Sequence, residues 1–169
     1  MNYLGINCSV QKGLGRVAIV IINDENEGFN FVYKSPSVFS FKQNSAEILN
    51  WHRDNVISLI SQFNIKGIAV KKTERTSFFS RPKNSDIFKL YLEGVLLSLA
   101  GNIGVFNKHF YKNEIQALIK TPKIFDKSID EICEIEGIIN CFEDIDKNDI
   151  EVVKDTLLSV IALKNNIAQ

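Results

Sequence analysis

The chain has 169 residues, 45% of them hydrophobic and 24% charged, an ordinary globular composition that excludes a disordered or fibrous class. Twenty basic residues balance twenty acidic ones, so the net charge selects no partner. No apolar run approaches the roughly 18 residues of a membrane span, and the opening Met1-Asn2-Tyr3-Leu4 lacks the pattern of a secretory leader, so a cytoplasmic protein with no membrane partner is expected.

The first elements read as a meander. Tyr3-Leu4-Gly5-Ile6 is a short apolar strand, Gly13 and Gly15 suit a tight hairpin, and Arg16 to Ile22 is a β-branched run. The turn-forming residues Asn23 to Gly28 precede a third strand, Phe29 to Tyr33. Asn44 with Glu47 three residues on has capping-box spacing, and Leu49, Val56, Ile60 and Phe63 follow at helical intervals, which predicts a helix over 45–63. His52 falls on or beside the buried face of that helix.

Gly67-Ile68-Ala69-Val70 suits a strand covered on both faces, paired in parallel after the crossover helix. A loop from Lys71 to Asn84 contains Pro82, and Ser85 can cap a helix to about Ala100. Gly94 inside that helix costs roughly 1 kcal/mol relative to Ala, which points to a close approach to the sheet. Ile103-Gly104-Val105-Phe106 reads as a fifth strand, with His109 beyond it at the surface. A short helix is expected near Lys112 to Ile119, an amphipathic stretch from Ser128, and a last helix from about Asp149 to Lys164 with Val153, Leu157, Val160, Ile161 and Lys164 on one side.

Charge is distributed unevenly. Between Lys71 and Lys83 five cations (Lys71, Lys72, Arg75, Arg81, Lys83) surround Phe78 and Phe79 against Glu74 alone. Cations suit phosphates and aromatic faces suit bases, so this loop is the candidate nucleic-acid-binding segment, for DNA or RNA. From Lys123 to Asp155 the balance reverses, with eleven carboxylates against four lysines. Cys8, Cys133 and Cys141 form no Cys-x-x-Cys pair and are expected to be reduced and structural.

Three stretches carry a resemblance. Leu4-Gly5-Ile6-Asn7, Phe110-Tyr111-Lys112-Asn113-Glu114-Ile115-Gln116 and Asp155-Thr156-Leu157-Leu158-Ser159-Val160-Ile161-Ala162 are similar, in this order, to segments of the RuvC resolvase branch of the ribonuclease H-like superfamily. The order of elements over nearly the whole chain resembles that superfamily too. The resemblance implies an α/β ribonuclease H-like fold, a five-stranded mixed sheet in the order 3-2-1-4-5 flanked by helices. It implies one domain over residues 1–169, helical from about residue 111.

The resemblance also implies a site in which acids from strand one, the end of strand four and the last helix hold two Mg²⁺ ions. Hard cations take oxygen ligands, and paired metals stabilise both the attacking and leaving oxygens of a phosphodiester. Mapped here, strand one offers the neutral Asn7, strand four ends in Val70-Lys71-Lys72 with Glu74 shifted into the loop, and the last helix offers Asp155 with Glu151 one turn earlier. Asn7, Glu74, Glu151 and Asp155 are thus the candidate catalytic set, with Glu151 and Asp155 as candidate metal ligands. Three functions fit these residues. The first is a nucleic-acid-associated domain without standard two-metal cleavage. The second is a Mg²⁺-dependent nuclease with a rearranged carboxylate set. The third is a non-catalytic scaffold that pairs with itself or with a protein partner.

Overall fold

A computed structural model describes residues 1–11, 14–25, 28–40, 45–73, 84–139 and 145–168. The elements are β1 (Asn2–Gln11), β2 (Leu14–Glu25), β3 (Gly28–Ser40), α1 (Ser45–Phe63), β4 (Ile65–Lys71), α2 (Asn84–Ile103), β5 (Phe106–Phe110), α3 (Lys112–Ile119), α4 (Ile129–Glu136), β6 (Ile138–Ile139) and α5 (Ile150–Ile167), with a 3-10 turn at Ile124–Asp126. Their hydrogen-bonded order is β5-β4-β1-β2-β3-β6. β1, β2 and β3 are antiparallel neighbours, whereas β4 joins β1, β5 joins β4 and β6 joins β3 in parallel. Six strands stand where five are expected, because the two-residue β6 is too short to leave a periodicity signal.

The meander strands are longer than their apolar runs. Polar residues such as Asn2, Ser9 and Asn23 are carried into the β1–β2 ladder because pairing satisfies their backbone groups whatever their side chains. The fifth strand begins three residues later than expected. Ile103 completes α2, and Gly104, at φ 72°, ends that helix in the left-handed region before the chain can extend. Asn64, at φ 47°, plays the same part between α1 and β4.

The alternation of strand side chains divides the core in two. Leu4, Ile6, Val17, Ile19, Ile21, Ile68 and Val70 pack against Val56, Leu59 and Ile60 of α1 and Phe88, Leu92, Leu96 and Leu99 of α2. On the other face, Tyr3, Ala18, Val20, Ile22 and Ala69 pack against α5, which α3 and α4 cover in turn. The one-sided stripe expected for the last helix is therefore corrected: every residue from Val152 through Leu163 except Asp155 is buried, because sheet and helices enclose α5.

Gly94 is corrected as well. It is exposed and an added Cβ would meet nothing within 4 Å, so no close approach explains it. The glycine that a close approach does require is Gly5, where an added Cβ would stand 2.7 Å from the Thr156 backbone oxygen of α5. Asn44, Gly13 and Cys141 lie outside the described residues; Cys8 is half-buried and Cys133 is buried. Among the described residues no helix is long and apolar enough to cross a membrane.

Candidate functional site

The contact between α5 and the sheet defines a site at one end of the parallel strands. Asp155 pairs with Lys71 at the end of β4, and farther along α5 Leu163 approaches Gly67 near the start of that strand. α5 therefore begins over the carboxyl ends of β1 and β4 and runs back along them. Carboxyl ends of parallel strands are the usual binding edge of an open α/β sheet.

Asn7, Lys71 and Asp155 belong to this edge. Gly5 and Ala69 look toward α5, so two-residue alternation puts Asn7 and Lys71 on the same face. The register pairing Ile6 with Val70 makes Asn7 and Lys71 neighbours across the two strands. The Lys71 ammonium donates to Oδ2 of Asp155. Both side chains are largely withdrawn from water, 17% and 23% exposed.

Glu151 does not join them. Its side chain is 74% exposed, and its carboxylate accepts from Lys154 Nζ at 2.9 Å. The i, i+4 spacing that puts Glu151 and Asp155 on one helix stripe does not bring them to one ligand, since each is held by a different lysine. A third pair was not visible in the sequence: Arg16 of β2 donates to Oδ1 of the buried Asp149, which precedes α5. Glu74, Arg75, Phe78, Phe79, Arg81 and Lys83 lie outside the described residues.

Among the described residues, the donor set does not fit the two-metal centre implied by the resemblance. Asn7 brings no charge, and the Asp155 carboxylate already accepts from an ammonium. Among the described residues no group of three or more His, Cys, Asp or Glu side chains could hold a metal ion. A divalent ion about 4 Å from the Lys71 ammonium would meet a repulsion of about 8 kcal/mol at an effective dielectric of about 20.

What the edge does assemble is a row of cations on aromatic rings. A backbone hydrogen bond of 2.8 Å from Lys72 N to Phe110 O ties the ends of β4 and β5 together, which places Lys72 beside Tyr111. Lys72 Nζ lies 4.1 Å from the centroid of the Tyr111 ring, and Lys112 Nζ lies 4.6 Å from that of Phe125. Lys71 Nζ stands 5.9 Å from the centroid of the same Phe125 ring. Tyr111, Lys112, Asn113, Gln116 and Phe125 line an open recess of about 520 Å³. The Tyr111-Lys112 pair sits in one of the stretches that carry the resemblance, and its position directly after a strand was the available signal. Phe125 had none, because only the 3-10 turn at Ile124–Asp126 folds it back onto the lysines.

His109 is corrected from a surface residue to a half-buried one within β5. Burial, reinforced by the nearby Lys72 charge, pushes its imidazole down to about 4. His52 is buried as expected, and burial pushes it down to about 4 too. Cys8, in β1 beside Asn7, is pushed up to about 12 by burial, with Lys89 opposing and Glu93 reinforcing the shift.

No family model matches the sequence, and no curated protein matches it. Solved structures do match. RuvC of T. thermophilus in complex with a Holliday junction substrate superimposes with a TM-score of 0.68 at 13% identity, covering 99% of this chain and 95% of that one. The Thermus thermophilus RuvC structure gives a TM-score of 0.64 at 13% identity, covering 99% and 96%. The yeast mitochondrial Holliday junction resolvase gives 0.62 at 13% identity, covering 98% of this chain and 78% of that one. The chain thus has an α/β fold with a mixed sheet, of the ribonuclease H-like type, that matches RuvC and the yeast mitochondrial Holliday junction resolvase over nearly its whole length.

Proposed function

We propose that this protein is a nucleic-acid-associated domain that binds through the carboxyl-end edge of its parallel strands and lacks standard two-metal cleavage. The observation that carries the reading is the cation–aromatic row of Lys72 on Tyr111 and Lys112 on Phe125, beside the Asp155 carboxylate, which is paired with Lys71. Lysines neutralise phosphates, and exposed rings offer faces on which unpaired bases stack. The loop residues Arg75, Phe78, Phe79, Arg81 and Lys83 extend the same chemistry in sequence from Lys72, and we include them in the interface. The fold supports the substrate class: the RuvC structure it resembles holds a Holliday junction.

The test is a titration of labelled four-way junction, duplex and single-stranded oligonucleotides at several salt concentrations. Affinity should fall with salt by roughly 0.7–0.9 logarithmic units per logarithmic unit for each phosphate contacted. Lys72→Ala with Lys112→Ala should flatten that dependence, whereas Phe79→Ala should weaken single-strand binding by about 1–3 kcal/mol at every salt concentration. Added Mg²⁺ or Mn²⁺ should produce little cleavage. Robust cleavage abolished by Asp155→Ala would favour the rearranged nuclease, and absence of binding at low salt would leave the scaffold reading in front.

A further inference from the structure

All three acids from residue 149 to the end of α5 have a side-chain cation as partner: Asp149 has Arg16, Glu151 has Lys154 and Asp155 has Lys71. Two of those cations, Arg16 and Lys71, come from sheet strands that flank β1, so protein charge meets the helix from both sides of the site. We infer that the Lys71 ammonium is a covalently tethered replacement for a divalent cation beside Asp155, and that it closes this edge to metal ions. The inference shares Lys71, Asp155 and Phe125 with the proposed function but does not require that the edge bind nucleic acid.

Three features support it. The pair sits where the start of α5 overhangs the ends of β1 and β4, the place where oxygen ligands from three elements could otherwise meet one ion. Asn7, Lys71 and Asp155 sum to zero charge, which leaves no net negative field to draw a divalent ion out of water; hard cations are held by several anionic or carbonyl oxygens. The Phe125 ring completes the lysine's surroundings, and an aromatic face suits an ammonium better than a strongly hydrated dication. Lys71→Glu reverses this arithmetic. It places two carboxylates and the Asn7 amide at one strand-end edge.

The experiment measures Mn²⁺ binding to the purified protein by loss of the free-ion electron paramagnetic resonance signal, with thermal unfolding in the presence and absence of Mn²⁺. Wild type should bind no Mn²⁺ at this site and show the same melting temperature with and without it. Lys71→Glu should bind Mn²⁺ at least about tenfold more tightly than wild type and melt higher in its presence, and Lys71→Glu with Asp155→Asn should lose both effects. Should Lys71→Glu fail to fold, Lys71→Ala supplies the same comparison, since its uncompensated Asp155 should make its melting temperature rise with Mn²⁺. Stoichiometric Mn²⁺ binding by wild type that Asp155→Asn abolishes would overturn the inference. So would a failure of the folded Lys71 variants to gain any Mn²⁺ response. Nucleic acid is absent from every arm, so neither result depends on whether the basic edge binds it.

Discussion

The two faces of the sheet are covered in different ways. On one, α1 and α2 lie as a single layer and turn Trp51, Leu90, Tyr91 and Leu97 to solvent. On the other, α5 is enclosed between the sheet and α3, and its buried side chains include Val152, Val153, Leu157, Leu158 and Val160 through Leu163. The single layer can tolerate an exposed apolar residue because its outer side is already wet. The enclosed helix must instead partner the polar groups it carries inward: Thr156 Oγ1 donates to Val152 O at 2.6 Å, Ser159 Oγ to Asp155 O at 2.8 Å, and Asp155 pairs with Lys71.

Truncating matched leucines should separate the faces most widely. Leu157→Ala removes a fully buried side chain and should cost about 2–5 kcal/mol in denaturant unfolding. Leu97→Ala removes one that is already 43% exposed and should change stability by less than about 0.5 kcal/mol. Equal losses would mean that α5 is not enclosed as described.

Acid should act through the other face. His52 lies in α1 and His109 shares its strand face with Val70, which packs under α1 and α2. Each imidazole is pushed down from 6.5 to about 4, so the folded protein resists a proton that the unfolded chain accepts. Stability is then full above the unfolded value and falls as pH drops from about 6.5 toward about 4, where the folded state protonates as well. For the fully buried His52 the loss is about 3 kcal/mol. His52→Leu should flatten the decline between about pH 7 and about pH 4.5 in denaturant titrations; an unchanged slope would place the proton uptake elsewhere.

The smallest contrast lies in two glycines. Gly5→Ala forces a methyl group to within 2.7 Å of the Thr156 backbone oxygen and should cost about 1–3 kcal/mol as α5 shifts. Gly94→Ala meets open space on an exposed helix and should raise stability by about 0.5–1 kcal/mol. Melting temperatures moving in opposite directions would support the comparison, and a loss at Gly94 would show that the outer layer is more tightly constrained than its exposure indicates.

Local regularities were legible without coordinates. Helical spacing from Leu49 to Phe63 predicts α1, the segment Lys112 to Ile119 is α3 to the residue, and the alternation of meander and crossovers, with the three resembling stretches, points to the fold. These features depend on neighbours within a turn or a hairpin, so the chain carries them in its own order. The partners of the site's charges do not work that way. Asp155 meets Lys71 across 84 residues, and Asp149 meets Arg16 across 133. No periodicity links such positions. Spacing alone put Glu151 and Asp155 on one stripe, but the direction of each carboxylate was decided by which lysine the packed sheet and helix brought within reach. The tertiary structure likewise put Phe125 over Lys112 and chose Gly5, not Gly94, for the close approach, because only the crossing of α5 over β1 sets which backbone atoms are near.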